Sequence, residues 1–394
     1  MLIDKIKNLS NVFFEEIKSY RRHIHANPEI SFEEYKTADF IEAKLREWGI
    51  SDISRMANTG VIAVIEANNK SNKVFALRAD IDALPIQEVE GREYGSKNPG
   101  IMHACGHDVH SSSLLGAVKI LNELKDHWSG KLKIIFQPGE ELVPGGASIL
   151  INEGVLENPS PQGIIGQHVM PLLPVGTVGF RKGLYMASAD EIYLKVKSKG
   201  GHGAMPHMTV DTVLVTSHII VACQQLVSRM SNPATPSVLS FGKVLANGAT
   251  NVIPSEVYVE GTFRTFDENW RNEAHEKLKK LIEGIGESLG AEIELEIRKG
   301  YPFLKNDLDL TDRAKNYAID YLGADKVVDL DIWMASEDFA FYSQKIPASF
   351  YRLGVRNEDK GIISSVHTPS FDIDEEALKT GMGLMAYLAI QELS

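Results

Sequence analysis

The chain has 394 residues, 43% hydrophobic and 24% charged, which is the balance of an ordinary globular protein at a length that favours two domains over one core. A formal net charge of −12 without any basic run argues against nucleic acid or an acidic membrane surface as partner. Two cysteines make no disulfide framework, the N-terminus turns charged at once, and no apolar run nears the ~20 residues of a membrane span, so a cytoplasmic protein is expected.

Residues 2–25 carry apolar side chains at helical spacing and stop before Pro28, which disfavours helix in the residue preceding it. Ser31-Phe32-Glu33-Glu34 reads as a capping box opening a second helix, closed by Gly49. Apolar runs at 60–66 and 74–79 predict strands joined by the polar turn 68–72. The second runs into Asp80 and Asp82, where α/β sheets place their sites, although either carboxylate could simply cap a turn.

The stretch from Met102 to His110 holds Cys105, three of the chain's twelve histidines and Asp108. Gly106 separates Cys105 from His107 and permits the bend that lets thiolate and imidazole converge. Alone, either would read as a satisfied core residue; packed together, they read as half of a metal site. A helix is expected from about Val109 to Lys125, then a buried strand at 131–136 ending in Gln137-Pro138-Gly139-Glu140-Glu141. Adjacent glutamates are usually a solvated pair, but at a strand end after a Pro-Gly turn they can present two carboxylates to one site. Residues 163–168 repeat the pattern, an apolar strand ending in His168, and His367 lies in a loop before a helix from about Asp374.

Between about 185 and 298 the order becomes strand (191–197), helix (211–230), strand (238–245), strand (257–266), helix (268–289), strand (293–297). That is βαββαβ, the plan of a ferredoxin-like domain. Cys223 sits on its first helix among apolar residues and reads as core. The expected architecture is α/β, with a mixed sheet flanked by helices over 1–184 and 299–394 and the α+β domain inserted at 185–298.

These residues carry a resemblance that spans nearly the whole chain. Arg22-His23-Ile24-His25 with Pro28-Glu29, the 78–85 segment, the 102–110 stretch, 137–141, Gly200-Gly201-His202 with Pro206-His207, 251–254, 336–339 and His367-Thr368-Pro369 stand in order. The chain resembles the aminoacylase and glutamate-carboxypeptidase family of dinuclear metallohydrolases, with a metallo-exopeptidase-like catalytic domain and a lid or dimerisation domain. It is most similar to the branch of hippurate hydrolases, auxin-conjugate hydrolases and N-acetyldiaminopimelate deacetylases.

The resemblance implies cleavage of the amide bond of small N-acyl amino acids, with aminopeptidase or dipeptidase action and a catalytically silent ligand-binding protein as alternatives. It implies two divalent ions (zinc, manganese, nickel or cobalt) on Cys105, His107, Glu141, His168 and His367. Counting agrees: five side chains fill two three-ligand sites only if one bridges, giving Cys105, Glu141 and His367 for one metal and Cys105, His107 and His168 for the other. Glu140 is then the general base toward a water shared by the metals. Asp80 and Asp82 depart from the metal-binding strand-end histidine of the carboxypeptidase relatives, which leaves them and Asp108 to orient imidazoles. In the family, the histidine matching His202 reaches the substrate carbonyl from a partner subunit, while positions matching Asn251 and Arg264 help hold the substrate carboxylate. A homodimer through the inserted domain is therefore expected. His23, His25, His103, His110 and His207 read as structural.

Overall fold

The computed structural model describes residues 1–394, which divide into two compact units. The first comprises Met1–Tyr185, Lys305–Ile332 and Asp338–Ser394, and the second Met186–Leu304 with Trp333–Glu337. The short segment Trp333–Glu337 thus runs with the second unit although it is distant from it in sequence.

The first unit is built on a mixed eight-stranded sheet. Its strands lie in the order Ile53–Met56, Gly60–Glu66, Ser129–Gln137, Asn69–Asp80, Ile164–Pro174, Ala348–Arg356, Val178–Phe180 and Val327–Asp329. The four central strands, from Ser129–Gln137 to Ala348–Arg356, are parallel, and each has a continuous buried run, as strands covered on both faces must. Gly60–Glu66 and Asn69–Asp80 do not pair across their polar turn; Ser129–Gln137 lies between them. The helices Leu2–Ala26, His107–Glu123 and Ala377–Leu393 pack on one another, the last two also on the central strands. Ala377–Leu393 is apolar nearly all round because this position buries it.

Register decides where the chemistry sits. Asp80 pairs with Gln137 at the carboxyl ends of their strands. His168, expected at a strand end, instead pairs with Arg352 inside the longer strand Ile164–Pro174, and the register of Arg78 with Gly166 brings His168 level with Asp80. Asp82, Glu140 and Glu141 follow directly from the same edge, the usual position for a site in an α/β sheet.

Two local expectations change. Ser31 does not cap the helix Tyr35–Glu47, because its hydroxyl donates to Asp82 Oδ2 at 2.6 Å and the N-cap is Glu34. The helix expected from Val109 begins two residues earlier, at His107, because Gly106 takes φ +85° and turns the chain directly into it.

The second unit is an antiparallel four-stranded sheet in the order Ser237–Ala246, Glu256–Thr265, Asp190–Lys197, Glu292–Lys299. Helices Thr212–Cys223 and Glu268–Leu289 pack on it and on each other. Ile192, Leu194 and Val196 alternate with polar neighbours and face the helices, where Val215, Ile219, Cys223, Ala274, Leu278 and Ile282 meet them. The long helix expected over 211–230 instead ends at Cys223 and continues as the wider turn Leu226–Met230. Together Thr212–Met230 is 19 residues, long and apolar enough to cross a membrane, contrary to the expectation that no segment nears that length. The composition has a local reason: Val215, Ile219, Cys223 and Leu226 fill the unit's core, while Val213, Leu214 and Val221 lie exposed on the other side.

One buried ionic cluster ties this unit together. Arg271, on Glu268–Leu289, donates through Nε to Asp190 Oδ2 at 3.0 Å and through Nη2 to the carbonyls of Ala189 and Gly300. His275 Nε2 lies 2.6 Å from the same oxygen, Asp190 Oδ2. Replacing Arg271 by Ala leaves the buried Asp190 without its guanidinium, with only His275 beside it, and is expected to cost about 3–5 kcal/mol. Cys223→Ala removes one small core group and should cost about 1–2 kcal/mol, with bound metal unchanged. Urea unfolding midpoints of both variants, with elemental analysis of the second, check the pair.

Candidate metal centre

The residues singled out in the first unit converge. Cys105 Sγ lies 3.3 Å from His168 Nε2 and 3.3 Å from His367 Nε2. Glu141 Oε1 lies 3.3 Å from His367 Nε2 and 4.0 Å from His107 Nε2. Donor atoms of Cys105, His107 and His168 fall within 4.8 Å of one another, as do those of Cys105, Glu141 and His367. Cys105 is common to both groups.

Local sequence makes this convergence. A side chain at Gly106 would bring a Cβ to 2.7 Å from Val169 Cγ2, and the residue's positive φ excludes most other residues in any case. The turn therefore packs tightly against the strand that carries His168. His367 itself has φ +61°, an unusual conformation for histidine that costs about 1–3 kcal/mol and persists only where the surroundings impose it. Its backbone N–H is held at 2.7 Å by the carbonyl of Ala104, the residue before Cys105.

Hydrogen bonds fix which imidazole nitrogen faces the cluster. His168 Nδ1 donates to the Val169 carbonyl at 2.7 Å, leaving Nε2 as a lone pair toward Cys105. His107 Nδ1 donates to Asp82 Oδ1 at 3.0 Å, and its buried Nε2 has no hydrogen-bond partner. Glu141 Oε1 is likewise buried without one. Two orphaned acceptors in one place, beside a thiol and two further imidazoles, fit a bound cation better than a polar core, where such groups are normally paired. Asp82 also accepts from the backbone N–H of Glu141 at 3.0 Å, so one carboxylate orients two of the five residues.

The electrostatics agree. Burial lowers the His107 pKa, but Asp80, Cys105 and Asp82 outweigh it and hold the imidazole well above its usual range. The Cys105 sulfur and the Glu141 carboxylate, each 3.3 Å from Nε2, raise His367 to about 10. Burial, with the Glu141 charge beside it, pushes the Cys105 thiol up. The His107 and His367 shifts report negative charge around those two imidazoles, whereas burial dominates at Cys105, and burial with Arg352 nearby holds His168 well below its usual range.

Glu140 is buried, and its Oε1 accepts from the backbone N–H of Asp338 at 3.4 Å. A carboxylate oxygen of Glu140 lies within 4.8 Å of the donor atoms of His107 and Glu141. Asp338 is in turn gripped by Arg78 Nη2 and Gln137 Nε2, both at 2.8 Å, and by the Ala147 N–H at 2.9 Å.

Asp80 turns elsewhere. His110 Nε2 accepts from the Val169 N–H at 2.9 Å, so its proton is on Nδ1 and is donated to Asp80 Oδ1 at 2.6 Å. Asp108 faces away from its neighbour His107 toward Arg21 and His25, so it orients an imidazole outside the cluster. His110, expected to be structural, is one support of the cluster, and Arg78 and Asp338 are supports to which the sequence assigned no role. A signal existed for Arg78, an arginine inside an otherwise apolar strand two residues before Asp80.

His202, Asn251 and Arg264 belong to the second unit. His202 sits in a short exposed strand paired with Val252, beside Asn251, whose carbonyl accepts from Gly203 N–H at 2.8 Å. Arg264 is half-buried and donates through Nη1 to the Met334 carbonyl at 3.0 Å. The structure brings His202 and Asn251 together in one turn region and sets Arg264 on a separate strand.

Comparison with known proteins follows the same lines. The chain is 41% identical over 301 residues to an N-acyl-L-amino acid amidohydrolase of Geobacillus stearothermophilus, covering 76% of this chain and 80% of the relative. It is 39% identical over 391 residues to the IAA-amino acid hydrolase ILR1-like 4 of Arabidopsis thaliana, covering 97% and 87%. Among solved structures it is similar to the Bacillus subtilis YXEP protein, described as a dinuclear metal-binding peptidase, with a TM-score of 0.82 and 35% identity over 97% of this chain and 99% of that one. The sequence profile of peptidase family M20/M25/M40 matches residues 76–391, and the chain belongs to that family of hydrolases.

Proposed function

We propose that the protein is a metal-dependent amidohydrolase that cleaves N-acyl amino acids, with acetyl, benzoyl or similar acyl groups, to a carboxylate and the free amino acid. The observation that carries the reading is the position of Cys105 between two donor groups, one with His107 and His168 and one with Glu141 and His367. The relatives named for N-acyl-L-amino acids and for IAA-amino acids support the substrate class.

In this reading the five side chains hold two divalent ions, with Cys105 shared. When bound, the ions supply Lewis acidity and positive charge where an amide oxygen becomes anionic. Thiolate with imidazole suits zinc, while manganese, nickel and cobalt also accept the carboxylate and imidazoles. Glu140 takes a proton from the attacking water and returns it to the leaving nitrogen, which must depart as an amine. Its backbone anchor at Asp338 keeps the carboxylate aimed during both transfers. Asp82, by accepting from His107 and from the Glu141 backbone, holds both donors in register.

The second unit acts as lid and dimerisation domain in this reading. Its helix Thr212–Cys223 exposes Val213, Leu214 and Val221 (41%, 54% and 72%), and the edge strand Ser237–Ala246 adds Val244 and Leu245. Such an apolar surface beside an open sheet edge suits a second copy of the chain. His202 then donates to the substrate carbonyl of the partner's site, and Asn251 and Arg264 hold the substrate carboxylate.

Three measurements test the reading. Protein reconstituted with excess zinc or manganese should contain two metals per chain by elemental analysis, and one at saturation rejects a shared Cys105. Glu140→Gln should keep both metals and bind N-acetyl amino acids yet lose at least ~10²-fold in turnover, whereas Glu141→Gln should weaken one metal. Exchange of these two phenotypes reverses the assignment of base and ligand. Finally, His202→Ala should lose about 10²–10³-fold in activity. Mixed with Glu140→Gln under conditions of subunit exchange, it should recover about half the activity per dimer; confirmed exchange without recovery excludes action across the interface. A parallel screen of N-acetyl, N-benzoyl and indole-acetyl amino acids, with free dipeptides beside them, fixes the substrate class.

A further inference from the structure

Behind the metal cluster lies a second group of charges that the proposed chemistry does not use. Arg21, on the first helix, is fully buried, and its guanidinium reaches two different elements. Nε donates to Asp108 Oδ2 at 2.7 Å, and Asp108 directly follows His107 at the start of its helix. Nη2 donates at 3.1 Å to Asp372 Oδ1, in the irregular segment that carries His367, and Nη1 reaches Glu375 Oε1 at 3.4 Å. His25 completes the Asp108 side, with Nδ1 2.8 Å from Oδ2, and Arg92 and Tyr94 complete the Asp372 side.

We propose that Arg21 is a positioning residue that sets the separation of the two donor groups, by holding the start of the His107 helix and the His367 loop with one buried guanidinium. The inference rests on the dinuclear reading above. The loop between residues 357 and 376 has no sheet or helix of its own to place it, and His367 within it adopts a disfavoured backbone conformation. Phe371 and Ile373 bury their side chains in the core, and the polar attachments near the ligand are His367 N–H to the Ala104 carbonyl, the Pro369 carbonyl to Val89 N–H, the Phe371 carbonyl to Arg92, and the side chain of Asp372. Of the groups that bind Asp372, Arg21 alone also binds the residue beside His107.

Neutralising Asp108 does not explain this arrangement. A single buried cation there would satisfy Asp108 without reaching Asp372. What the second reach needs is a planar fork of donors spaced to serve two carboxylates, which arginine has and lysine lacks. The two residues therefore separate charge from geometry. Arg21→Lys keeps the positive charge beside Asp108 but cannot bond both carboxylates.

The test is a cobalt(II) titration of the metal-depleted protein, followed by thiolate-to-cobalt absorption and by chelator competition. The parent should bind in two steps, and the step that needs His367 is identified by its disappearance in His367→Ala. Arg21→Lys should melt close to the parent yet lose about 10–100-fold in affinity at that step, the scale expected for a partner of a ligand, with the other step unchanged. Asp372→Asn should weaken the same step, and the double variant should lose no more than the worse single one. If Arg21→Lys does not fold, Asp372→Asn decides alone. Parental affinity at both steps in a folded Arg21→Lys, or in Asp372→Asn, overturns the positioning role and leaves the dinuclear reading standing. A parent that binds a single cobalt overturns the dinuclear reading and this inference with it.

Discussion

Five side chains of metal-binding type are gathered in a space where they have little else to bond, and much of the first unit is arranged to keep them there. Cys105, Glu141 and three imidazoles bring lone pairs and negative charge together, and two of those acceptors are buried without a hydrogen-bond donor. Left to themselves such groups would separate or draw in water, because an unpaired buried polar group costs about 1–3 kcal/mol and a charged one more. The fold opposes this with backbone. Gly106 packs against Val169, His367 N–H is tied to Ala104, and Asp82 accepts from His107 and from the Glu141 backbone together. A cation in such a site releases the repulsion among the donors, so metal affinity and local folding are one quantity there.

The supports are layered. His107 leans on Asp82, and Asp82 on Ser31; His168 leans on the Val169 carbonyl, and the Val169 N–H on His110, whose other nitrogen is held by Asp80. Arg78 joins Asp80 to Asp338, which anchors Glu140, so the Glu140 carboxylate and the donor set share one buried network. Burial of that network makes it stiff. It also makes it intolerant of change, since removing one charge leaves another uncompensated in the interior.

The sequence was most informative where chemistry is dense over a few residues. Cys105 lies two residues from His107 and Glu140 beside Glu141, and the strands carrying Gln137 and His168 could be read from their apolar runs, although the second continues to Pro174 instead of ending at His168. The order of strands and helices in the second unit followed from periodicity, and the helix Glu268–Leu289 has the bounds its cap residues suggest, Asp267 before it and Gly290 after. Long-range pairing was not legible. Ser31 has the spacing of a capping residue, and only tertiary contact shows that Asp82 takes its hydroxyl instead. Asp108 and His107 are neighbours whose side chains serve different networks, because successive residues on a helix point in different directions. Arg21 and Asp372 are 351 positions apart, and nothing in either local sequence announces the other.

The division of the chain also separates two kinds of constraint. All five metal-type donors and Glu140 come from the first unit, on one strand, the turn after another, a helix start and one tethered loop. The demands on them are geometric to within a fraction of an ångström, and a sheet edge supported by buried charge meets such demands well. His202 and Asn251 stand on exposed turns of a smaller unit whose core is independent of that edge. Side chains there can change without disturbing the donor set. Relatives named for N-acyl-L-amino acids and for IAA-amino acids share about two-fifths of their residues with this chain, in agreement with one fixed chemistry and a variable choice of acyl group. The acyl preference of this protein is then to be sought among the walls around the donor cluster and on the second unit, rather than in the cluster itself.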